Sequence, residues 1–307
     1  MKQLLYILLI VFVKFSSAVA AEKIIILNPQ GPTHSGTSQL LKVVEVANLM
    51  QSKYQFIIEF KVGGFESIAL REVLTNEQKY IATMTNASAE AVDKNFIDLK
   101  NYSIIFSQGD SCWVVIVNTG RQSENLNSVK NLNELIVGGP AIGGATHITA
   151  LEIGNKYNIP VKYVVFKSNF DALVNLAANN GVNFIIERVK NYKQFQEKNP
   201  GMHILAMSCP SRTTQLPDTP TLLEYGIDAP FIWQQIVSGK NMEPKRRQEL
   251  SDILAKATIA IGQQEILDIS DQIPPIFNNV DSARHYKNSW DKLQNLRSKW
   301  RSKFDAN

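Results

Sequence analysis

The 307-residue sequence predicts an α/β fold with length enough for about two ordinary domains. Three observations carry this. Short apolar runs alternate with segments of helical period, the pattern of largely parallel strands joined by helices. The alternation occurs twice, in 24–84 and again in 135–208. Two glycine-bearing turns, Gly31 to Ser38 and Gly138 to His147, each lie between a strand and the helix after it.

The elements follow in chain order. Lys2, the uncharged apolar run Leu4 to Val13 and the pair Ala18-x-Ala20 have the layout of a secretory leader over residues 1–20, cut after Ala20. The run is too short to span a bilayer, so the released chain is expected to be soluble outside the cytoplasm. Ile24 to Leu27 reads as a buried strand. Thr37 to Met50 reads as a helix with Leu40, Leu41, Val44 and Ala47 on its core face. Strands follow at Tyr54 to Val62, Tyr80 to Met84 and Trp113 to Val117, with a helix at Ser67 to Leu74. The second series reads as strands at Leu135 to Val137, Val161 to Phe166, Val182 to Ile186 and His203 to Ser208. Helices at Thr146 to Tyr157 and Asn169 to Asn179 lie between them. The last third is helical: Glu243 to Ile261 with Pro244 in its first turn, Gln264 to Asp271, and Asp281 to Lys303 with Asp281 as cap. Tyr286, Trp290, Leu293 and Trp300 make an apolar packing stripe on that final helix.

Charge excludes one class of function. The 32 basic residues barely exceed the 28 acidic ones, and the leader takes Lys2 and Lys14 with it, so broad binding to nucleic acid is not expected. The basic stretch Arg297 to Lys303 reads as a solvated helix face. Spacing alone does not bring Cys112 and Cys209 within bonding distance, so two buried thiols are the expectation, although an oxidising compartment would permit a bridge.

Catalytic and cofactor constellations are missing. The four histidines form no metal-binding spacing, no G-x-S-x-G elbow occurs, and the turns lack both the P-loop lysine and the dinucleotide fingerprint. No metal, no cofactor and no catalytic group is expected, and therefore no enzyme. What remains is binding. In an open α/β sheet, ligands lie beyond the carboxyl ends of the strands, where helix N-termini offer unpaired N–H groups and partial positive charge. Two such turns can clamp an anion. Thr33, His34, Ser35, Gly36 and Thr37 are the candidates on one side. Gly143, Gly144, Ala145, Thr146 and His147 are those on the other, the two histidines shaping the cleft and favouring an anion if charged. Ser168, Asn169 and Arg188 stand near strand ends and are added to the set.

The segment Leu216-Pro217-Asp218-Thr219-Pro220-Thr221-Leu222-Leu223-Glu224-Tyr225-Gly226 closely resembles the LPDVPTLAEAG signature of the tripartite tricarboxylate transporter substrate-binding proteins, the Bug-type receptors. Locally it reads as a capping box from Thr221 to Glu224 with Gly226 ending one helical turn. Gly139 to His147 resembles that family's GSPGxGSxxH loop, Val129 to Leu135 its lead-in, Trp233 its tryptophan after the signature, and the helix to Trp300 its ending. The resemblance implies a two-lobed, type 2 periplasmic-binding architecture with the ligand cleft between lobes. It puts residues 21–126 with 239–307 in one lobe and 127–238 in the other. It further implies a monomeric periplasmic receptor that closes on a small carboxylate: a di- or tricarboxylate, an acidic amino acid or an aromatic acid. Such a receptor hands its ligand to the integral membrane permease subunits of a tripartite transporter. The alternative is a ligand sensor or adaptor that signals to a membrane partner such as a sensor kinase. The departures, Pro32 to Ser38 in the first turn and Phe166-Lys167-Ser168 in the second series, fall in loops; they leave the fold untouched and the ligand open.

Overall fold

A computed structural model of the chain describes residues 20–32, 35–118, 125–167, 169–230, 232–270, 272–273 and 279–304. The expected leader lies outside these, apart from Ala20. In order, the elements are β1 (Glu22–Asn28), α1 (Ser35–Met50), β2 (Tyr54–Phe60), α2 (Ser67–Val73), β3 (Tyr80–Thr85), α3 (Ser88–Asp93), β4 (Tyr102–Ser111) and β5 (Trp113–Asn118). They continue with β6 (Leu135–Gly139), α4 (Ala145–Tyr157), β7 (Val161–Val165), α5 (Asn169–Ala177), β8 (Phe184–Arg188), α6 (Val189–Gln196) and β9 (Met202–Met207). The chain closes with β10 (Ile232–Gly239), α7 (Pro244–Ile261), α8 (Gln263–Ser270), β11 (Gln272–Ile273) and α9 (Asn279–Phe304).

Two sheets result, a six-stranded one ordered β11-β4-β10-β3-β1-β2 and a five-stranded one ordered β7-β6-β8-β5-β9. Each has a parallel part, β2-β1-β3 and β7-β6-β8, as the alternation predicts. The strands nearest the passage between sheets run antiparallel, so both sheets are mixed. Helices cover both faces of each. Ile24 and Ile26 face the α1 and α7 side while Ile25 and Leu27 face the α2 side, which is why β1 reads as a continuous apolar run. In the second sheet Val115 and Ile186 face the α4 side, and Val114 and Ile185 the α5 side.

The chain changes sheet at Cys112, between β4 and β5, and returns through 208–230. These crossings differ from the expected divisions at 126/127 and 238/239. β5 pairs with β8 and β9 in the second sheet, and β10 pairs with β3 and β4 in the first.

Three local expectations are corrected. Leu41 is exposed, because the core face of α1 is Leu40, Val43, Val44 and Ala47, and Leu41 lies off that stripe. Asp281 sits inside the first turn of α9 rather than at its cap, where its charge still suits the positive end of the helix. The cysteines are not thiols: Cys112 and Cys209 form a disulfide, with Cα atoms 5.0 Å apart. The β5–β9 ladder explains it. Val114 opposes Met207, and two residues outward along the same antiparallel ladder the two cysteines meet.

The capping box is as expected: the Thr221 N–H donates to Glu224 Oε1 at 3.0 Å and the Glu224 N–H to Thr221 Oγ1 at 3.2 Å. The stripe on α9 packs as expected too. Tyr286 and Trp290 lie edge-on to Trp233 of β10, and Trp300 packs beside Leu293. The basic stretch on α9 is solvated at Lys299, Arg301 and Lys303 as expected, and Arg297 is the exception. Arg297 is 8% exposed and Lys299 reaches Glu152 of α4 at 2.7 Å. The Trp300 indole donates to the same carboxylate at 2.6 Å. The helix thus grips the first sheet with its N-terminal half and α4 with its C-terminal half.

The bridge between Cys112 and Cys209 spans a sequence separation of 97. Replacing both by alanine is expected to lower unfolding stability by roughly 2–5 kcal/mol in a urea titration, and a thiol assay on the denatured, unreduced wild type is expected to find no free cysteine.

Candidate functional site

A cleft of about 540 Å³ opens where the carboxyl ends of β1, β2, β3, β6, β7 and β8 face one another. Gln30 and Gly31 after β1, Phe65 after β2, and Thr85, Asn86 and Ala87 at the end of β3 form one wall. The opposite wall has three parts. Pro140, Ala141 and the start of α4 at Gly144, Ala145 and Thr146 make the first. Asn169 and Phe170 at the start of α5 make the second, and Glu187, Arg188 and Asn191 after β8 the third. Trp113 and Ile232, the first residues after the two crossings, close the back, and Arg297 of α9 reaches in from one side.

The second glycine turn supplies the best-built part. Gly144 caps α4, so the N–H groups of Ala145 and Thr146 have no acceptor within the helix and open on the cleft. The turn is held from behind. Gly143 adopts φ 73°, a left-handed conformation suited to glycine, and its N–H donates to His147 Nδ1 at 2.9 Å. The Thr146 hydroxyl is engaged with Tyr163 OH at 2.7 Å, so Thr146 offers its amide rather than its hydroxyl. Burial pushes the Tyr163 phenol up to about 12, which keeps it neutral.

His147 overturns the expected charged imidazole. It is completely buried and stacked on Tyr163 with ring centroids 4.3 Å apart; burial lowers its pKa to about 4. Its Nδ1 accepts a hydrogen bond, so the ring is neutral and carries its proton on Nε2. It fixes the turn and is not among the residues lining the cleft.

The first turn works indirectly. Thr37 is buried; its hydroxyl donates to the Gly31 carbonyl at 3.0 Å and accepts from Asn28 Nδ2 at 2.9 Å. It sets the path of Gly31 rather than touching the cleft. Gly36 packs so closely on Gln234 that a Cβ would fall 2.0 Å from Gln234 Oε1, the amide whose Nε2 bonds Gln30. Ser35 opens α1. Thr33, His34 and Ser168 lie outside the described residues. Of the remaining candidates, Gly144, Ala145, Thr146, Asn169 and Arg188 come together at the cleft. Arg188 is 6% exposed and donates to Ser111 Oγ at 3.2 Å.

Several lining residues carried no motif. Thr85, Asn86 and Ala87 obey the same carboxyl-end rule that exposed the others. Phe65 belongs to a strained turn in which Gly63, Gly64, Phe65 and Glu66 all have positive φ, the last two at 51° and 73°. A left-handed conformation costs a non-glycine residue roughly 1–2 kcal/mol. The turn is held by Glu66, whose buried carboxyl group accepts from the Thr85 N–H at 2.9 Å and the Thr85 hydroxyl at 2.6 Å. Nothing in the sequence near Arg297 marks it as a cleft residue. Among the described residues no group of three or more His, Cys, Asp or Glu is placed to hold a metal ion, and no helix is long and apolar enough to cross a membrane.

Neither a family model nor a curated protein sequence matches the chain. Solved structures do. A TctC solute-binding protein from Polaromonas has a TM-score of 0.74 at 15% identity, over 91% of this chain and 98% of that one. The periplasmic binding protein BugD gives 0.72 at 15% identity, over 92% and 97%. A protein of R. palustris solved with adipate gives 0.73 at 16% identity, over 90% and 97%. The fold is therefore that of periplasmic solute-binding proteins, including those that the Leu216 to Gly226 segment resembles.

Glu66 makes stability depend on pH. Burial raises its pKa from 4.5 to about 7 in the folded chain, outweighing the two hydrogen bonds from Thr85, which lower it. The folded state therefore holds an extra proton between those values, and its stability falls as pH rises through that window. The expected loss is about 3 kcal/mol. Glu66→Gln, measured by denaturant titration at pH 5 and pH 8, is expected to show less of this fall than wild type.

Proposed function

We propose that this chain is a periplasmic solute-binding receptor, without catalytic activity, that closes its two lobes on a small carboxylate. The observation that carries the reading is the meeting of the α4 N-terminus with Arg188 in one cleft between the sheets. Paired amides at a helix start and a guanidinium are the standard means of holding a carboxylate. The solved proteins that share the fold support the same reading, since one of them carries adipate. The leader-like layout of residues 1–20 supports export to the periplasm, and in this reading the ligand passes to integral membrane permease subunits of a tripartite transporter.

Closure has a preferred direction. Arg297 of α9 ties Asp93 to the Gly143 carbonyl, so one flank of the cleft is fixed. The other flank carries Phe65 and Phe170, which are exposed on opposite walls. The lobes rotate about the α9 flank and the two crossings at Cys112 and 208–230, which brings those two rings together.

A melting-temperature screen of the mature protein against di-, tri-, aromatic and amino-carboxylates tests the reading. At least one acid is expected to raise the melting temperature, because a ligand of the folded state stabilises it by mass action. Arg188→Gln, checked for folding by circular dichroism, is expected to weaken that acid at least ~tenfold. No shift with any acid would refute the receptor reading.

A further inference from the structure

We infer that the ligand is an aromatic monocarboxylate whose ring is held between Phe65 and Phe170. The inference rests on the receptor reading and names the class of acid within it. Both phenyl groups line the cleft on opposite walls, and both stand in water: Phe65 is 39% and Phe170 50% exposed. Single exposed apolar residues are ordinary on a protein surface. What marks these two is how each is held. Phe65 has φ 51° and the next residue, Glu66, φ 73°, conformations that a non-glycine residue keeps only where its surroundings enforce them. The enforcement comes from the two hydrogen bonds that the Glu66 carboxyl group accepts from Thr85. The backbone is thus strained at the residue that puts a ring on the cleft. Phe170 stands in the first turn of α5 and is propped edge-on by Phe195 of α6, with ring centroids 5.4 Å apart. Two fixed rings on facing walls, brought together by closure, make a slot for a flat apolar group. Trp113 and Ile232 continue the apolar surface at the back.

The distribution of charge sets the number of carboxylates. Among the described residues, the ionisable side chains lining the cleft are Glu187, Arg188 and Arg297, which belong to the wall of the second sheet and to α9. The wall of the first sheet offers Gln30, Gly31, Phe65, Thr85, Asn86 and Ala87, none of them cationic. Lys94 reaches the Phe65 ring, its Nζ 5.2 Å from the centroid, yet it is exposed and does not line the cleft. One carboxylate therefore has a place, at the start of α4 beside Arg188. A second, carried across to the first wall, would lose its water with no cationic side chain lining that wall to replace it. An uncharged aromatic body meets no such penalty, and its burial between the two rings favours closure.

Calorimetry on the wild-type protein with matched probes decides the question. Benzoate, phenylacetate and 3-phenylpropanoate vary the distance from carboxylate to ring. Butanoate has the carboxylate without the ring, and adipate replaces the ring by a second carboxylate. The expected result is that at least one of the three aromatic acids binds at least ~tenfold tighter than both butanoate and adipate. Phe65→Ala and Phe170→Ala are each expected to weaken that acid about fivefold or more, and butanoate less than about twofold. The wild-type comparison stands even if a variant does not fold. If butanoate or adipate binds as tightly as the best aromatic acid, or if either alanine variant keeps its affinity, the inference fails and the carboxylate receptor survives. The same holds if no aromatic acid binds while another acid of the melting-temperature screen does. If no acid binds at all, both fail together.

Discussion

A buried guanidinium on the last helix sets the geometry on which the cleft depends. Arg297 donates to Asp93 at 2.5 Å on the wall that follows β3 and to the Gly143 carbonyl in the turn before α4. A residue late in the chain thus fixes the distance between two walls whose own segments are far apart in sequence. The guanidinium is buried and the Asp93 carboxylate partly exposed, so the pair is only partly shielded from water. Around it α9 adds apolar and polar anchors: Tyr286 and Trp290 on Trp233 of the first sheet, Lys299 and Trp300 on Glu152 of α4. The disulfide pins the backbone at the crossing, joining Cys112 at the sheet change to Cys209, two residues past β9.

With that frame in place, the chemistry of the cleft follows from a few groups. The α4 amides are directed at the opening because Gly143 turns the chain and neutral His147 holds it there. The strained Gly63 to Glu66 turn brings an aromatic ring to the opposite rim, and the Glu66–Thr85 hydrogen bonds keep it in place. The positive groups that the cleft offers are the start of α4 and Arg188, since buried His147 is neutral.

The sequence makes the layered α/β pattern legible because most strands are buried on both faces and so appear as apolar runs, as in Ile24 to Leu27. β4 and β10 escape notice because polar residues interrupt them. Ser107, Gln108, Gln234, Gln235 and Ser238 are buried instead of facing water, with Gln235 Nε2 donating to Ser107 Oγ at 3.3 Å and Gln234 Nε2 to Gln30 Oε1 at 3.0 Å. The same omission displaces the expected boundaries between sheets. At the site, the glycine turn before α4 and Arg188 are readable from the rule that ligands lie at strand carboxyl ends. Thr37 and Gly36 are readable as special residues but act by packing and positioning. Arg297, the disulfide and the neutrality of His147 depend on contacts between distant segments, such as the β5–β9 register, and local patterns carry no trace of those.

The most direct test of the carboxylate clamp is a crystal structure of the protein with its tightest-binding acid. The expected structure has a closed cleft with one carboxylate oxygen about 2.7–3.2 Å from the amide nitrogens of Ala145 or Thr146 and the other against Arg188. A ligand carboxylate seated elsewhere, with those amides and Arg188 facing only water, would contradict it.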